Sequence, residues 1–386
     1  MTGPLHGYRI VDLTTMISGP LATMLLADQG ADVIKVEAPD GGDHTRAGNN
    51  RRGGFSASFL NNNRNKRSVA FDLKTAFGRD ALLRLAATAD VFVQNFRPGV
   101  AERVGAGEDA IRAVAPAIVY VSISGFGETG PYAGKPVYDP LVQAVSGLAT
   151  IQGGSDEARP RLVRTIVPDK HTAMTAAQAI TAALLARERT GQGQHVRLSM
   201  LDAILGFLWA SDMGSQTFVG DEFPQAEAAS FIDLIYQTGD GTFISAAVQT
   251  DREWTALTRA LDRPGWLDDP RFATPALRQR HINERLQMIQ DVLLTRPGAE
   301  WLRRLNEAGV PCAPVLTRNE VIRHPQVLAN DVLVETEHPA AGRLRQTRAA
   351  ARFSATPTGI RRGAPGLGEH TREILTELGY ADALTS

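Results

Sequence analysis

An acidic residue stands at the start of a long alanine-rich segment. Pro168 and Asp169 come just before residues 171–189, which read HTAMTAAQAITAALLARER and are predicted to form a helix that ends at TGQG. The free N–H groups and the dipole at a helix N-terminus favour negative charge, so the Asp169 carboxylate is expected to be ionised and able to act as a nucleophile. Asp is also a common N-cap residue, and this position alone leaves that structural role open.

The other residue types that carry catalytic or ligand chemistry show no productive spacing. The eight histidines are scattered without HxxH or HExxH spacing, so no metal site is predicted. The single cysteine, Cys312, excludes an internal disulfide. No activating base is visible near it in the sequence, which predicts an unreactive thiol.

The loop after the first predicted strand argues against two classes of nucleotide-binding site. It reads TTMISGP at residues 14–20 and contains a single glycine, Gly19. A dinucleotide site needs GxGxxG at this place, and a phosphoryl-transfer loop needs GxxxxGK[ST]. Neither pattern is present, so no tightly bound cofactor is expected.

The composition is that of an ordinary globular protein. Of its 386 residues, 43% are apolar and 22% are charged, and 41 basic and 42 acidic side chains leave a formal net charge of -1. Nucleic acids and anionic membranes bind proteins that have a basic excess, so neither partner is expected. The N-terminus lacks the pattern of a signal peptide, and no run approaches about 20 apolar residues, so a cytoplasmic protein is expected.

Apolar runs alternate with helical patterns over the first 200 residues. Predicted strands cover residues 9–14, 31–37, 68–73, 90–96 and 117–126, with helices between them, the first opened by Pro20. Near-continuous apolar strands separated by helices predict a parallel sheet covered on both faces, a doubly wound α/β fold. A change of pattern predicts a large domain at 1–215, a linker at 216–224 and a smaller α+β domain at 225–330.

Several segments are distinctive enough to indicate a family. They are GPLHGYRIVDLTTMISGPLATMLLADQGADVIKVEAPDGGD, NNNRNKRSVAFDLKT, DVFVQNFRPGVAERVG, VYVSISGFGETGPYA and ALLARERTGQGQHVRLSMLDA. With them the chain resembles the class III (CaiB/BaiF-type) CoA-transferases, a family that includes formyl-CoA transferase, carnitine CoA-transferase and related racemases. The resemblance implies a Rossmann-like large domain to which residues 331–386 return, and an interlocked homodimer of ring-shaped chains. It also implies acyl-CoA and a free carboxylic acid as substrates.

The resemblance also assigns residues to the reaction. In formyl-CoA transferase the catalytic aspartate lies just ahead of the helix that leads into the RERTGQGQ-like segment, and Asp169 stands at the matching position. A carboxylate there would attack a thioester to give a mixed anhydride and then an enzyme thioester, without ATP. The residues matched to CoA contacts or to the lining of the site are Ile17, Ser18, Leu73, Lys74, Asn95, Phe96, Arg97, Arg103, Lys135 and Tyr138.

One CoA-contacting arginine of formyl-CoA transferase is replaced here by Ala38. Other basic residues could then bind the phosphates, since arginine and lysine form charge-assisted hydrogen bonds with them. The candidates are Arg46, Arg51, Arg64 and Lys66. The NRNKR cluster, which contains the last two, is equally consistent with a structural motif that tethers a loop or a helix.

A 2-methylacyl-CoA racemase is the main alternative within the family. Racemisation needs two bases on opposite faces of the α-carbon. Where racemases have Gly-His-Asp this chain has Val137-Tyr138-Asp139, and where they have a glutamate it has Gln249. Tyrosine is a poor base at neutral pH and glutamine does not titrate, so CoA transfer is favoured.

Two further points concern the substrates. A catalytically inactive acyl-CoA binder is the alternative outside the enzymes, and the presence of Asp169 argues against it. Formyl-CoA transferase shields its intermediate with a GGGGQ loop, and no such run lies between residues 205 and 250. Specificity for formate or oxalate is therefore not expected, and the acceptor acid stays open.

Overall fold

The computed structural model of the protein describes residues 3–222 and 234–380. Its strands are β1 Arg9–Leu13, β2 Asp32–Glu37, β3 Arg51–Arg52, β4 Phe55–Ser56, β5 Lys66–Ala70, β6 Val91–Gln94, β7 Val119–Ser124, β8 His195–Ser199, β9 Ile235–Gln237, β10 Phe243–Ala246, β11 Cys312–Pro314, β12 Leu333–His338 and β13 Gly342–Thr347. Its α-helices are α1 Ser18–Asp28, α2 Ala57–Asn63, α3 Ala76–Ala87, α4 Val100–Arg103, α5 Glu108–Val114, α6 Asp139–Val145, α7 Leu148–Gly153, α8 Val167–Thr190, α9 Met200–Trp209, α10 Asp251–Ala260, α11 Pro275–Arg280, α12 Ile282–Leu293, α13 Gly298–Glu307, α14 Arg318–Val321, α15 Pro325–Ala329 and α16 Thr371–Glu377.

The described residues group into two compact units. The larger unit contains residues 3–153, 159–222 and 331–380, and the smaller contains 154–158 and 234–330. The predicted linker at 216–224 lies partly outside the described residues, and the predicted domain boundaries stay predictions. None of the helices within the described ranges has the length and apolar character needed to cross a membrane.

The larger unit is built on a six-stranded parallel sheet in the order β5-β2-β1-β6-β7-β8. The predicted α/β fold with a large parallel sheet is therefore confirmed. From β1 the chain first adds strands on one side, and it then returns to add β6, β7 and β8 on the other. Ligands of open α/β sheets bind where the strand order reverses in this way, at the carboxyl ends of the strands. The loops after β1 and β6 therefore form the expected crevice.

Consecutive residues of a strand point to opposite faces of the sheet, so the apolar strands present apolar side chains on both faces. Helices cover each face. On one face Ile10 and Val91 pack with α1 and the alanines of α8. On the other face Val11 and Phe92 pack with α3, α5 and the C-terminal helix α16. Small side chains such as Ala176 on α8 allow that helix and α1 to lie close together, and this brings the first turns of the two helices next to each other.

Three predicted boundaries differ from the observed ones. Helix α1 begins at Ser18 rather than Pro20, because the Ile17 carbonyl already accepts the N–H of Leu21 at 2.8 Å. Strand β5 begins at Lys66 rather than residue 68, since charged residues opening a buried strand hide it from an apolar pattern. Helix α8 begins at Val167, which puts Asp169 inside its first turn.

The NRNKR cluster is a structural motif. Arg64 donates to Asp28 at 2.6 and 3.0 Å, and the fully buried Lys66 donates to Asp12 at 2.8 Å. Burial lowers the pKa of Lys66 to about 8, although the Asp12 carboxylate opposes that shift. Since both cations are already paired, the expectation that they could bind CoA phosphates is wrong.

Arg46 is engaged in the same way. Its guanidinium donates to both carboxylate oxygens of Glu37, at 2.8 and 2.7 Å, and it lies over the ring of Phe59. The proposal that Arg46 replaces a phosphate-binding arginine is therefore also wrong. Arg51 is exposed and donates to the Gly54 carbonyl at 3.2 Å, so its predicted role stays a prediction.

The smaller unit is an α/β layer of its own. Strands β9, β10 and β11 form an antiparallel sheet in the order β11-β10-β9. Helices α10, α12 and α13 pack on it through Tyr236, Trp254, Leu286 and Trp301. Cys312 in β11 is half-buried, and burial raises the pKa of its thiol, in line with the unreactive role predicted from the sequence.

Replacing Asp28 with Ala should lower the free energy of unfolding of the larger unit by about 3–5 kcal/mol, because it leaves the buried Arg64 without its partner. Asp80→Ala is the matched control, since its ion pair with Arg84 and its hydrogen bond from the Tyr380 hydroxyl are exposed at the surface and should together be worth about 1 kcal/mol. Urea unfolding followed by circular dichroism measures both. Equal losses in the two variants would contradict the structural role of the cluster.

Candidate functional site

The loop between β1 and α1, residues 14–18, is held by side chains from three neighbouring strands or their loops. The Thr14 carbonyl accepts a hydrogen bond from Lys35 Nζ at 2.7 Å, and the Thr14 N–H donates to the Asp12 carboxylate at 3.0 Å. The Asn95 amide accepts the N–H of Thr15 at 3.0 Å and donates to its carbonyl at 2.8 Å. All four polar backbone groups of Thr14 and Thr15 are thus bonded to side chains.

Two features show how tightly this loop is packed. Met16 has a φ of 71°, a left-handed conformation that costs a non-glycine residue about 1–3 kcal/mol, and its N–H donates to Asp43 at 3.3 Å. A Cβ atom at Gly19 would lie 2.4 Å from the Cβ of Thr14. The single glycine of the loop therefore serves close packing of the turn against α1.

Two buried carboxylates and two buried ammonium groups support the loop from below. Lys35 Nζ lies 2.9 Å from Asp43, Lys66 Nζ lies 2.8 Å from Asp12, and all four residues are at most 1% exposed. Burial by itself would raise the pKa of Asp12, but Lys66 and Lys35 hold it well below its usual range. We call these four residues the buried ion cluster.

Asp169 lies in the first turn of α8, beside the first turn of α1. Its carboxylate accepts hydrogen bonds from the backbone N–H and the hydroxyl of Ser18. Its own N–H donates to the buried carboxylate of Asp139 at 3.1 Å. Asp139 is fixed in turn by Gln143, whose Nε2 donates to it at 2.6 Å. The N-cap of α8 is Ile166, so the alternative in which Asp169 serves only as an N-cap is wrong.

The surroundings of Asp169 shift its ionisation. Burial, together with the nearby Asp139 carboxylate, raises the pKa of Asp169 to about 6, against the hydrogen bonds from Ser18. The helix N-terminus alone predicted a stabilised anion, so the direction of the shift differs from that expectation. A carboxyl group with this pKa is still about nine-tenths ionised at pH 7.

Asp169 opens into a pocket of about 450 Å³ at the carboxyl ends of β1, β6 and β7. The pocket is formed by the loops after these strands together with the starts of α6, α8 and α9. Its described lining consists of Thr15, Met16, Ser18, His44, Asn95, Phe96, Arg97, Val100, Ile123, Ser124, Gly125, Val137, Tyr138, Asp139, Asp169 and Met200. It thus lies at the crevice expected from the strand order.

Six of the predicted site residues line this pocket. They are Ser18, Asn95, Phe96, Arg97, Tyr138 and Asp169. Ser18 holds the Asp169 carboxylate, and Asn95 commits much of its amide to Thr15, so both shape the site. Arg97 and Tyr138 are exposed at the pocket.

The other five predicted residues lie outside the lining of this pocket. Ile17 is the N-cap of α1, and Leu73 packs against the core beneath α3. Lys74 and Arg103 are exposed, and the Nζ of Lys135 lies 3.3 Å from the centre of the Tyr132 ring. Their assignment to CoA contacts stays a prediction.

His171, named beside Tyr138 as a possible lining residue, also lies outside the pocket lining. Its ring packs 5.0 Å from that of Phe207.

Among the lining residues that were not recognised from the sequence, two carry ionisable side chains, Asp139 and His44. Asp139 was noted only as the neighbour of Tyr138, and its effect on Asp169 depends on a contact across 30 positions of the chain. His44 follows Asp43 in the run GGDHTR, where nothing in the spacing indicates a site. The described residues include no cluster of three or more His, Cys, Asp or Glu suited to a metal ion.

Comparison with known proteins identifies the family. Residues 5–371 match CoA-transferase family III. The chain belongs to this family. Human succinyl-CoA:glutarate CoA-transferase is 34% identical over 382 residues, covering 97% of this chain and 86% of the relative. Formyl-CoA:oxalate CoA-transferase of Escherichia coli is 33% identical over 407 residues, covering 99% and 97%.

A solved structure of the family agrees with the fold. The crystal structure of a CaiB/BaiF family protein from Brucella suis matches with a TM-score of 0.84 at 30% identity, covering 98% of this chain and 100% of that one. The family predicted from the sequence segments is thus confirmed, and this CoA-transferase is an enzyme.

Opposite pKa shifts are expected when the two neighbours of Asp169 are changed. Asp139→Asn should lower the pKa of Asp169 below about 6, because it removes a negative charge that disfavours ionisation. Ser18→Ala should raise it, because a donor to the ionised form is lost. NMR titration of protein labelled with ¹³C at the aspartate carboxyl groups measures the pKa, and Asp169→Asn identifies the signal.

The same shifts should appear in activity. On the expectation from the sequence that the ionised carboxylate of Asp169 is the nucleophile, the acid limb of the pH–rate profile should move to lower pH in Asp139→Asn and to higher pH in Ser18→Ala. The exposed Asp80 provides the control, and Asp80→Ala should leave both the pKa and the profile unchanged. Shifts of the same sign in the two test variants would show that these causes are wrongly assigned.

Proposed function

We propose that this CoA-transferase moves CoA from an acyl-CoA donor to a carboxylic acid acceptor through covalent intermediates on Asp169. The observation that carries the proposal is a half-desolvated carboxylate that faces a pocket at the switch point of the sheet. A pKa of about 6 leaves the group ionised at neutral pH and more basic than an exposed aspartate. Both properties suit an oxygen nucleophile.

The reaction proceeds by four acyl exchanges. An oxygen of Asp169 attacks the thioester carbonyl of the donor, which forms a mixed anhydride and releases the CoA thiolate. The thiolate attacks the aspartyl carbonyl, so that an aspartyl-CoA thioester forms and the donor acid leaves. The acceptor carboxylate then attacks the aspartyl carbonyl and releases the thiolate again. Finally the thiolate attacks the acceptor carbonyl, which yields the new acyl-CoA and regenerates Asp169.

Ser18 supports both the ground state and the intermediates. Its N–H and hydroxyl donate to the carboxylate before reaction. When the thiolate or the acceptor attacks the aspartyl carbonyl, negative charge develops on an oxygen of the same side chain. The same two donors are then in place to stabilise it, because the loop that carries them is already fixed.

CoA is proposed to bind along the residues that follow β5 and β6. Arg97, Lys74 and Arg103 are exposed and can form charge-assisted hydrogen bonds with the phosphates. Lys135 can add a further cation, while Ile17, Leu73 and Phe96 supply apolar contacts. Arg46, Arg64 and Lys66 take no part, since their charges are paired with buried carboxylates.

We further propose an interlocked homodimer that works in the cytoplasm. Large apolar side chains on α8 and α9 remain exposed in the single chain, among them Met174 at 62% and Trp209 at 49%. A second copy would cover such surface, since contiguous exposed apolar area typically marks an interface. The names of the human and bacterial relatives support acyl-CoA and a free acid as the substrate pair.

Trapping with hydroxylamine tests the covalent step. Protein incubated with acyl-CoA and then with hydroxylamine should carry a hydroxamate on the tryptic peptide 165–170, which contains Asp169, detected by mass spectrometry. Asp169→Asn should abolish the label and lower CoA exchange by at least about a thousandfold, because it removes the nucleophile.

Two controls sharpen the result. Asp202→Asn changes another first-turn aspartate, that of α9, and should leave label and exchange intact. Exchange that survives in Asp169→Asn would contradict the proposal. Solvent deuterium entering the α-carbon of the acyl group without CoA exchange would instead indicate a racemase.

A further inference from the structure

His44 is a basic residue of the Asp169 pocket that the proposed reaction does not use. It is the first residue of the 3₁₀ helix His44–Ala47, in the connection after β2. Its side chain lines the same pocket as Asp169 and is exposed there. Within the described ranges its ring makes no hydrogen bond and no ion pair, so its donor is available to a ligand.

The backbone that carries His44 is firmly held. The preceding residue, Asp43, belongs to the buried ion cluster and accepts the N–H of Thr45 at 2.8 Å and its hydroxyl at 2.7 Å. The N–H of Asp43 donates to Glu37 at 3.0 Å. Only the side-chain torsions of His44 remain to be fixed when a ligand binds, which limits the entropy lost.

Most other polar groups of the pocket are already committed. Ser18 donates to Asp169, Asp139 accepts from Asp169 and Gln143, and Asn95 bonds the backbone of Thr15. The remaining described wall is largely apolar, through residues such as Met16, Phe96, Val100, Ile123, Val137 and Met200. Thr15 and Tyr138 add neutral hydroxyl groups to this lining, and the two basic side chains among its described residues that can pair with an anionic group away from Asp169 are His44 and Arg97.

These two side chains lie on different sides of the central loop. Strand β1 pairs with β2 on one side and with β6 on the other. His44 comes from the connection after β2, and Arg97 from the loop after β6. Since Arg97 is proposed to contact CoA, His44 is the basic group left for the free acid.

We propose that His44 determines acceptor specificity by donating a hydrogen bond to a second carboxylate of the acceptor, so that the enzyme prefers dicarboxylic over monocarboxylic acids. The inference rests on the proposed function, because one carboxylate of the acceptor must reach the Asp169 carbonyl. The imidazole has an N–H donor in both its neutral and its charged form, so the contact does not depend on protonation. A second carboxylate in a largely apolar pocket would be disfavoured without such a donor.

The test compares acceptors of equal length in steady-state exchange. Wild type, His44→Ala and His44→Gln are assayed with acetyl-CoA, butyryl-CoA and succinyl-CoA as donors, and with glutarate against pentanoate as acceptors. Wild type should favour glutarate in kcat/KM by about ten- to a hundredfold, the same range as the contribution of that hydrogen bond. His44→Ala should lower that preference by about ten- to a hundredfold, the range expected for one hydrogen bond to a charged group. Its kcat/KM for pentanoate should stay within about twofold.

Two comparisons complete the design. His44→Gln keeps a hydrogen-bond donor and should retain part of the preference for glutarate. It also provides a second test of the role of His44 if the alanine variant does not fold. His6→Ala replaces another exposed histidine, away from the pocket, and should change nothing. An unchanged preference in both His44 variants, an equal loss for both acids, or a wild type without preference would each overturn the inference.

Labelling of Asp169 in every variant separates this inference from the proposed function. A hydroxamate on Asp169 with exchange but no dependence of the acid preference on His44 would refute only the role of His44. The absence of both label and exchange in wild type would refute the proposed function, and with it the inference.

Discussion

The pairing of Lys35 and Lys66 with Asp12 and Asp43 is the constraint on which the site depends. Four charges inside the protein are expensive to desolvate, and such clusters rarely add net stability over apolar packing. What this cluster does provide is a fixed position for the loop between β1 and α1. Lys35 and Asp12 bond Thr14, and Asp43 bonds the strained Met16, so this conformation of the loop is held at several points of its backbone. The donors of Ser18 are thereby aimed before any substrate arrives.

Asp169 depends on that arrangement because two opposing influences act on it. Burial and the charge of Asp139 favour the neutral acid, whereas the two donors of Ser18 favour the anion. A fully exposed carboxylate would be a weaker base, and a buried one without donors would be protonated at neutral pH. The balance leaves a carboxylate that is more basic than an exposed one and still mostly ionised at neutral pH. Asp139 also bonds the backbone of Asp169, so the residue that raises the pKa is the one that fixes the turn.

The sequence predicted the fold because strands buried on both faces read as apolar runs, and these runs recur between helical patterns. It did not predict β5 fully, since that strand opens with Lys66 and Arg67, whose partners lie far away in the chain. The same limit applied to the phosphate-binding candidates. A cationic motif looks alike whether its charges face water or a buried carboxylate such as Asp28. The location of Asp169 was predictable, whereas its pKa shift was not, because Asp139 reaches it only through the fold.

Some residues of the pocket can be substituted only at a cost in stability, whereas others can be substituted more freely. Ser18, Asn95 and Asp139 have polar atoms bonded within the protein, so replacing one removes a hydrogen bond from a partly buried partner, at about 1 kcal/mol. His44 has no such partner among the described residues, and a different side chain there would disturb little else. Chemistry common to all acids can therefore be built from the first set. On the proposed function, the choice of the acid can reside in the second set.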